Sequence, residues 1–280
     1  MPTAATPIQR ARRRIERAGD LSKHFLISAS GGKDSNAIFP LLAEYRDKHP
    51  GTTIGAFHYT RCKGMQCVER PIEVLCKRYD VPIHYLPHPD MARHLYEGFC
   101  RPRTAVAERA YKALIKMTDM EDAARLWYAC LLSNTTVDDL LPQHEEDEAK
   151  LSLRDLDVDP YSIWVCAGQR LNDSLERRAM LSSFRRQMKD VGDLRLPTGG
   201  DVGINPKQRR LYPVADWSSN EVLAYCRAMR LPAPADLGGK DSSGVNPANA
   251  DAMLALKNRY PADFNLLCVR FPQARLLVEG

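Results

Sequence analysis

The stretch FLISASGGKDSNAIFPLL, Phe25 to Leu42, sets two glycines, a lysine, an aspartate and flanking serines between two apolar runs. The first run, with His24 ahead of it, is β-branched and aromatic and predicts a strand. The second carries Ile38, Leu41, Leu42 and Tyr45 at helical spacing and predicts a helix that Pro50 stops. Pro40 falls in its first turns, where a missing N–H matters least. A strand that turns through Ser-Gly-Gly straight into a helix is suited to hold phosphate. Gly31 and Gly32 lack the Cβ atoms that would keep an anion off the backbone, and they tolerate positive φ, so successive N–H groups can converge. The helix start adds unpaired N–H donors and the positive end of its dipole. Lys33 brings a full charge, and Ser30 and Ser35 bring hydroxyls. Asp34 is the odd member, because a carboxylate repels phosphate. It fits as a Mg²⁺ ligand, as an acceptor for loop N–H groups, or as the N-cap of a plain surface turn. The spacing is neither GxxxxGKS/T nor GxGxxG.

Outward from this turn, strands alternate with helices. TIGAFHY (Thr53–Tyr59) and VPIHYLPH (Val81–His88) predict strands around a helix in VERPIEVLCKRYD, with Ile72, Leu75, Cys76 and Tyr79 on one side. Residues 104–132 are helical in pattern, with a stripe of Leu126, Trp127, Cys130 and Leu131. SIWVCAG (Ser162–Gly168) predicts a fourth strand. NDSLERRAMLSSF opens a helix with an Asp173…Glu176 cap, and SSNEVLAYCRAM repeats the device with Ser218…Glu221. The acidic run 144–160 reads as a solvated surface excursion, and 197–210 and 232–249 as loops. The order predicts an α/β fold, a parallel twisted sheet with helices on both faces and right-handed crossovers, followed by a small helical C-terminal part. The expected division is residues 1–217 as the nucleotide-binding unit and 218–280 as a helical extension packed on it.

Composition narrows the class. The 280 residues are 44% hydrophobic and 27% charged, ordinary for a globular protein. No apolar run approaches the roughly eighteen residues that cross a bilayer. The arginine-rich start has no apolar h-region and predicts a short basic helix rather than a signal. Eight cysteines without a CxxC pair predict free thiols in a reducing cytoplasm. A net charge of +5 suits a polyanionic small molecule and permits nucleic acid without requiring it.

SGGKDS matches the SGGxDS signature of the PP-loop, or N-type ATP pyrophosphatase, superfamily. Five fixed positions arise by chance in roughly one chain of this length in a few thousand. AGQRLNDSLERR (Ala167–Arg178) resembles the GxRxxESxxR segment of the phosphoadenosine phosphosulfate (PAPS) reductase branch. Gly168, Arg170, Ser174 and Arg177 match it, and Asp173 stands where Glu is usual. YPVADWSSNEV resembles the later PxxDW segment, within which Asp216 and Trp217 read as structural. The three motifs run in order from Ser30 to about Pro232. The resemblance implies an adenine nucleotide α-hydrolase-like fold and a bound adenylyl compound, ATP or PAPS, with Mg²⁺. Lys33, Asp34 and Arg170 are the candidate catalytic residues. Ser30, Gly31, Gly32, Lys33, Asp34, Ser35, Gly168, Arg170 and Arg177 form the nucleotide-binding set, which His58 and Tyr59 at the end of the second strand complete. Two turns of helix would bring Arg170 and Arg177 to one face for bidentate contact with a phosphate or sulfate.

The likeness has gaps. The reductases carry a nucleophilic cysteine in an E-C-G-I/L-H tail, whereas this chain has Cys268 among Leu266, Leu267 and Val269, a setting for a buried inert thiol. The paired cysteines of the iron–sulfur subgroup are missing, so no iron–sulfur cluster is expected. Cys62, between Arg61 and Lys63, is the best candidate for a reactive thiol, and a Cys62–Cys67 metal pair is weakly signalled. Three functions stay open. One is adenylyl transfer with pyrophosphate release to an unknown acceptor, with sulfur transfer among its outcomes. Another is phosphosulfate reduction by Cys62 or an external thiol donor. The third is a non-enzymatic nucleotide-gated module binding nucleic acid through the basic segments at 10–17, 61–63, 101–103 and 207–210. A homodimer is admitted.

Overall fold

The computed structural model describes residues 5–88, 120–135, 153, 156–187, 202–235, 237 and 245–279. The helical pattern expected over 104–119, most of the acidic run and the two glycine-rich loop centres lie outside these residues.

Six strands form one sheet in the order β3-β2-β1-β4-β6-β5. They are β1 (His24–Ser28), β2 (Thr53–Thr60), β3 (Ile83–Pro87), β4 (Trp164–Cys166), β5 (Ile204–Asn205) and β6 (Arg210–Leu211). All pairings are parallel except β5 with β6. The Phe25-Leu26-Ile27 run of β1 is fully buried because both sheet faces are covered. The antiparallel β5–β6 ribbon was not foreseen. Its strands are two residues each, too short to show a period, and all but Leu211 fall with their turn at 206–209 in the stretch expected as loop over 197–210, with Arg209 at φ 50°.

On one face lie α1 (Pro7–Gly19), the single turn α2 (Lys33–Asn36), α3 (Ile38–Lys48) and α4 (Gln66–Tyr79). The stripe expected on α3, Ile38, Leu41, Leu42 and Tyr45, is buried as a set. α1 is the short basic helix the sequence predicted, started by a Thr6–Gln9 capping box. Of its arginines Arg14 is buried and meets Asp216 at 2.6 Å, while the exposed Arg12 meets Glu44 at 2.8 Å. Trp164 Nε1 donates to Ala18 C=O (2.9 Å), and Trp217 Nε1 donates to Pro7 C=O (3.0 Å). Asp216 and Trp217 are thus braces for α1, as expected.

On the other face α5 (Met120–Leu132) packs through Ala124, Tyr128 and Ala129 on Leu26, Phe57 and Val165. Beside it α6 (Leu175–Gln187) sets Leu181 and Phe184 against Tyr212. After α7 (Ser219–Ala228), the C-terminal helices α8 (Ala250–Arg259), α9 (Pro261–Arg270) and α10 (Gln273–Glu279) join the core of the first face through Met253, Leu256, Leu267 and Phe271. A mostly parallel sheet with helices on both faces and a helical C-terminal part is the adenine nucleotide α-hydrolase-like arrangement the resemblance implied. No helix among the described residues is long and apolar enough to cross a membrane.

Candidate functional site

The strand order reverses between β1 and β4, whose neighbours lie on opposite sides. A crevice therefore opens at the carboxyl ends of these strands, where ligands of open α/β sheets sit. Two segments meet there, the turn from Ser30 to Ser35 after β1 and Ala167 to Arg170 after β4.

The turn is fixed by its own polar atoms. Ser30 and Ser35 hydroxyls lie 3.0 Å apart, Ser35 Oγ donates to Gly32 C=O (3.0 Å), and Gly32 N–H approaches Ser30 Oγ (3.3 Å). Gly31 sits at φ 74°, where a Cβ would also stand 3.0 Å from the Val68 carbonyl. The first ladder bond of α2 runs from Asn36 N–H to Gly32 C=O (3.0 Å), which leaves the N–H groups of its first turn without ladder partners. Gly168 has a steric cause that spacing alone does not reveal. A Cβ on it would lie 2.6 Å from Ser35 N and from the Asp34 carbonyl carbon, so only glycine lets the β4 segment touch the turn.

The charges are arranged differently from the expectation. Arg170 is 5% exposed. Its Nε lies 2.8 Å from Asp34 Oδ1, one terminal nitrogen lies 2.7 Å from Asp173 Oδ1, and the other donates to Ser219 Oγ (3.2 Å). Asp34 also meets Lys33 Nζ at 3.0 Å, and Arg177 meets Asp173 at 3.1 Å. Arg170 and Arg177 do converge, but on the carboxylate of Asp173 rather than on an open anion site. Likewise the Asp34 carboxylate faces two protein cations instead of standing ready for Mg²⁺. Asp173 is not the cap of α6 either. It accepts from Arg170 N–H (2.8 Å), and Ser174 Oγ takes over the cap by accepting from Arg177 N–H (3.1 Å). The guanidinium is the stronger partner for the carboxylate.

A cleft of about 450 Å³ opens beside the turn. Ala29 and Ser30 form one rim, His58 and Tyr59 the β2 wall, and Ala167 and Gln169 the β4 wall. Its far end is closed by Arg210 and Glu121, 2.7 Å apart. His58 and Tyr59 thus line the same cleft as Ser30. Gln169 was missed, because it falls between the matching positions of the motif.

Cys62 does not reach this cleft. Its Sγ donates to Leu266 C=O (3.7 Å) on α9, while Arg61 bonds Val245 C=O and Lys63 lies over the Tyr85 ring, so the flanking cations do not frame a thiolate. Burial pushes the thiols of Cys67, Cys76 and Cys268 up. Cys226, unnoticed in the sequence, lies nearest the turn. Its Sγ donates to Lys33 C=O (3.4 Å), and burial together with the Asp34 charge raises its pKa to about 11. No three His, Cys, Asp or Glu side chains among the described residues are grouped to hold a metal ion.

A family model described as phosphoadenosine phosphosulfate reductase domain matches residues 24–235. No curated protein matches the chain. Among solved structures, the U34-tRNA thiolase NcsA of Methanococcus maripaludis, with its 4Fe-4S cluster, is 16% identical at a TM-score of 0.41, over 98% of this chain and 80% of that one. The NH3-dependent NAD synthetase of Campylobacter jejuni is 12% identical (TM-score 0.38, 96% of each chain). NMN synthetase of Francisella tularensis is 12% identical (TM-score 0.36, 94% of this chain and 96% of that one). The thiolase corrects one expectation. An iron–sulfur cluster was not expected because the paired cysteines of one reductase subgroup are missing, yet the thiolase, a similar structure, is one with a 4Fe-4S cluster. The exclusion is withdrawn, although no cluster site is shown among this chain's cysteines.

Proposed function

Since the chain belongs to the phosphoadenosine phosphosulfate reductase domain family, we propose that it is an enzyme that binds an adenine nucleotide with its phosphates on the Ser30–Ser35 turn. One observation carries this reading: a glycine turn at positive φ, wedged by Gly168 at the switch point, opens directly onto the 450 Å³ cleft. Lys33 is the cation of the turn. Arg170 fixes Asp34 and the β4 segment, and so sets the shape of the turn without touching the ligand. With ATP bound, the chemistry is attack of an acceptor on the α-phosphate with loss of pyrophosphate, promoted by positioning and charge neutralisation. Sulfur transfer is one outcome of such an activated acceptor. Reduction of a phosphosulfate is the second reading, favoured by the family match. Cys62, Cys226 and Cys268 do not line the cleft, and Cys226 beside the turn is bonded to Lys33 C=O with its pKa raised to about 11, so this reading needs an external thiol.

A panel of ATP, PAPS and adenosine phosphosulfate, each tested for stabilisation against heat, separates the two. Binding to the folded state adds about 2.7 kcal/mol at a hundredfold excess over Kd. ATP is expected to give the largest rise in Tm, and Gly31→Ala to abolish it. A panel in which no nucleotide raises Tm removes the nucleotide reading. The largest rise with PAPS, with sulfite released in the presence of a thiol, favours the second.

A further inference from the structure

The cleft contains a buried side chain with half of its hydrogen-bonding capacity unused. His58 is 7% exposed, and its Nδ1 lies 2.7 Å from the Ala29 carbonyl. A carbonyl can only accept, so Nδ1 carries the proton and Nε2 keeps a bare lone pair. The Tyr85 ring, 6.0 Å away and edge-on, offers that nitrogen no hydrogen bond. Burial first, with the charge of Arg61, holds the ring's pKa below its ordinary value against the opposing Ala29 bond, so the imidazole is neutral at pH 7. Across β1, Gln169 Oε1 is likewise buried in the same cleft without a partner. A buried acceptor without a donor costs stability, and a ligand that brings O–H or N–H groups removes that cost at Gln169 Oε1 and takes up the lone pair of His58.

We infer that His58 Nε2 accepts a hydrogen bond from a ribose hydroxyl of the bound nucleotide, and that His58 with Gln169 selects a ribose with free hydroxyls. This rests on the nucleotide reading of the cleft. The topology sets the distance scale. Ligands of open α/β sheets sit outside the carboxyl ends of the strands at the switch point, so with the phosphates at the turn after β1 the carboxyl end of the adjacent strand β2 is within reach of the ribose. His58 is the buried polar side chain at that end. An unprotonated nitrogen pairs with a hydroxyl and has nothing to offer a 3′-phosphate ester, so His58 itself favours ATP over PAPS, against the attraction that Arg61 and Arg210 in the same cleft would exert on a 3′-phosphate.

Calorimetric titration of ATP, 2′-deoxy-ATP, 3′-deoxy-ATP and PAPS into wild-type protein and His58→Asn tests this. Asparagine keeps an N–H at the Nδ1 position for the Ala29 carbonyl and is too short to place its amide oxygen where Nε2 stands, so the variant should fold with only a small loss in Tm. One of the deoxy analogues is expected to bind wild-type protein about tenfold more weakly than ATP, the scale of one buried acceptor left unpaired. His58→Asn should bind ATP about tenfold more weakly and lose the discrimination. Equal binding of ATP and both deoxy analogues to the wild type overturns the inference, as does PAPS binding more tightly than ATP or discrimination surviving in His58→Asn. Should His58→Asn fail to fold, the analogues on wild-type protein decide alone. ATP binding that is lost in Gly31→Ala but unchanged in His58→Asn overturns this inference and leaves the nucleotide reading standing. No ATP binding at all overturns both.

Discussion

Arg170 and Arg177 carry the same charge, seven positions apart, yet their surroundings give them different weights. The Arg170 side chain is 6% exposed and stands between two carboxylates, whereas Arg177 is 42% exposed and touches one. Removing this buried cation leaves Asp34 with Lys33 alone and Asp173 with the exposed Arg177 alone, so Arg170→Ala is expected to cost about 3–5 kcal/mol. Arg177→Ala should cost less than about 1 kcal/mol, because solvent already screens its pair. Urea denaturation at pH 7 measures both, and equal losses would refute a structural role peculiar to Arg170. At this scale the motif positions were legible but their partners were not. Gly31 has the positive φ read from the sequence, Gly32 does not (φ −77°), and Gly168 was read only as a motif position. What they exclude differs: Gly31 avoids a forbidden φ, while Gly168 avoids Ser35. Sequence spacing cannot tell an arginine aimed at a ligand from one aimed at a carboxylate, because both require the same residue.

Among the elements, α4 shows what a pattern of periods leaves out. Its apolar side was readable, but the start of the helix has no capping side chain of its own. The cap comes from α9, where buried Asp263 accepts from Gln66 N–H (3.0 Å) and Cys67 N–H (2.7 Å). Nearly two hundred residues separate cap from helix, so no local rule finds it. By contrast α7 carries its own box, with Ser218 Oγ accepting from Glu221 N–H at 3.2 Å and Glu221 Oε2 accepting from Ser218 N–H at 2.6 Å, and this was read in advance. Asp263→Ala strips two buried N–H groups of their acceptor and is expected to cost about 2–3 kcal/mol. The same change frees the turn that Cys62 pins to α9, so Cys62 should react faster with a thiol reagent while Cys166, fully buried in β4, stays protected. A loss below about 0.5 kcal/mol with unchanged labelling would show that α9 does not hold this end of α4.

At the scale of the molecule, three histidines among the described residues shape how stability follows pH. His24, His58 and His84 are all pushed below the ordinary value of 6.5 by burial; Arg61 adds to this at His58 and Lys63 at His84. Each is therefore neutral in the folded protein over a range where the unfolded chain takes up a proton. Where the unfolded state binds more protons, stability rises with pH. The contribution is complete above pH 6.5 and is lost as pH falls below it, with a slope of at most about 1.4 kcal/mol per pH unit for each histidine. Carboxylates act lower down. Burial alone would raise the Asp216 carboxyl, but Arg14 and Arg10 hold it below 3.8, so its stabilisation fades only at more acid pH. Glu69, raised by burial though Gly64 N–H opposes this, acts in the other direction above 4.5. The urea midpoint should therefore fall between pH 7.5 and 5.5. It should fall less in His58→Asn, which keeps the Ala29 bond and has nothing to protonate. A midpoint flat across that range, or one that falls equally in the variant, would mean that His58 is not held neutral by its burial. The lone pair offered to the cleft would then disappear with that neutrality.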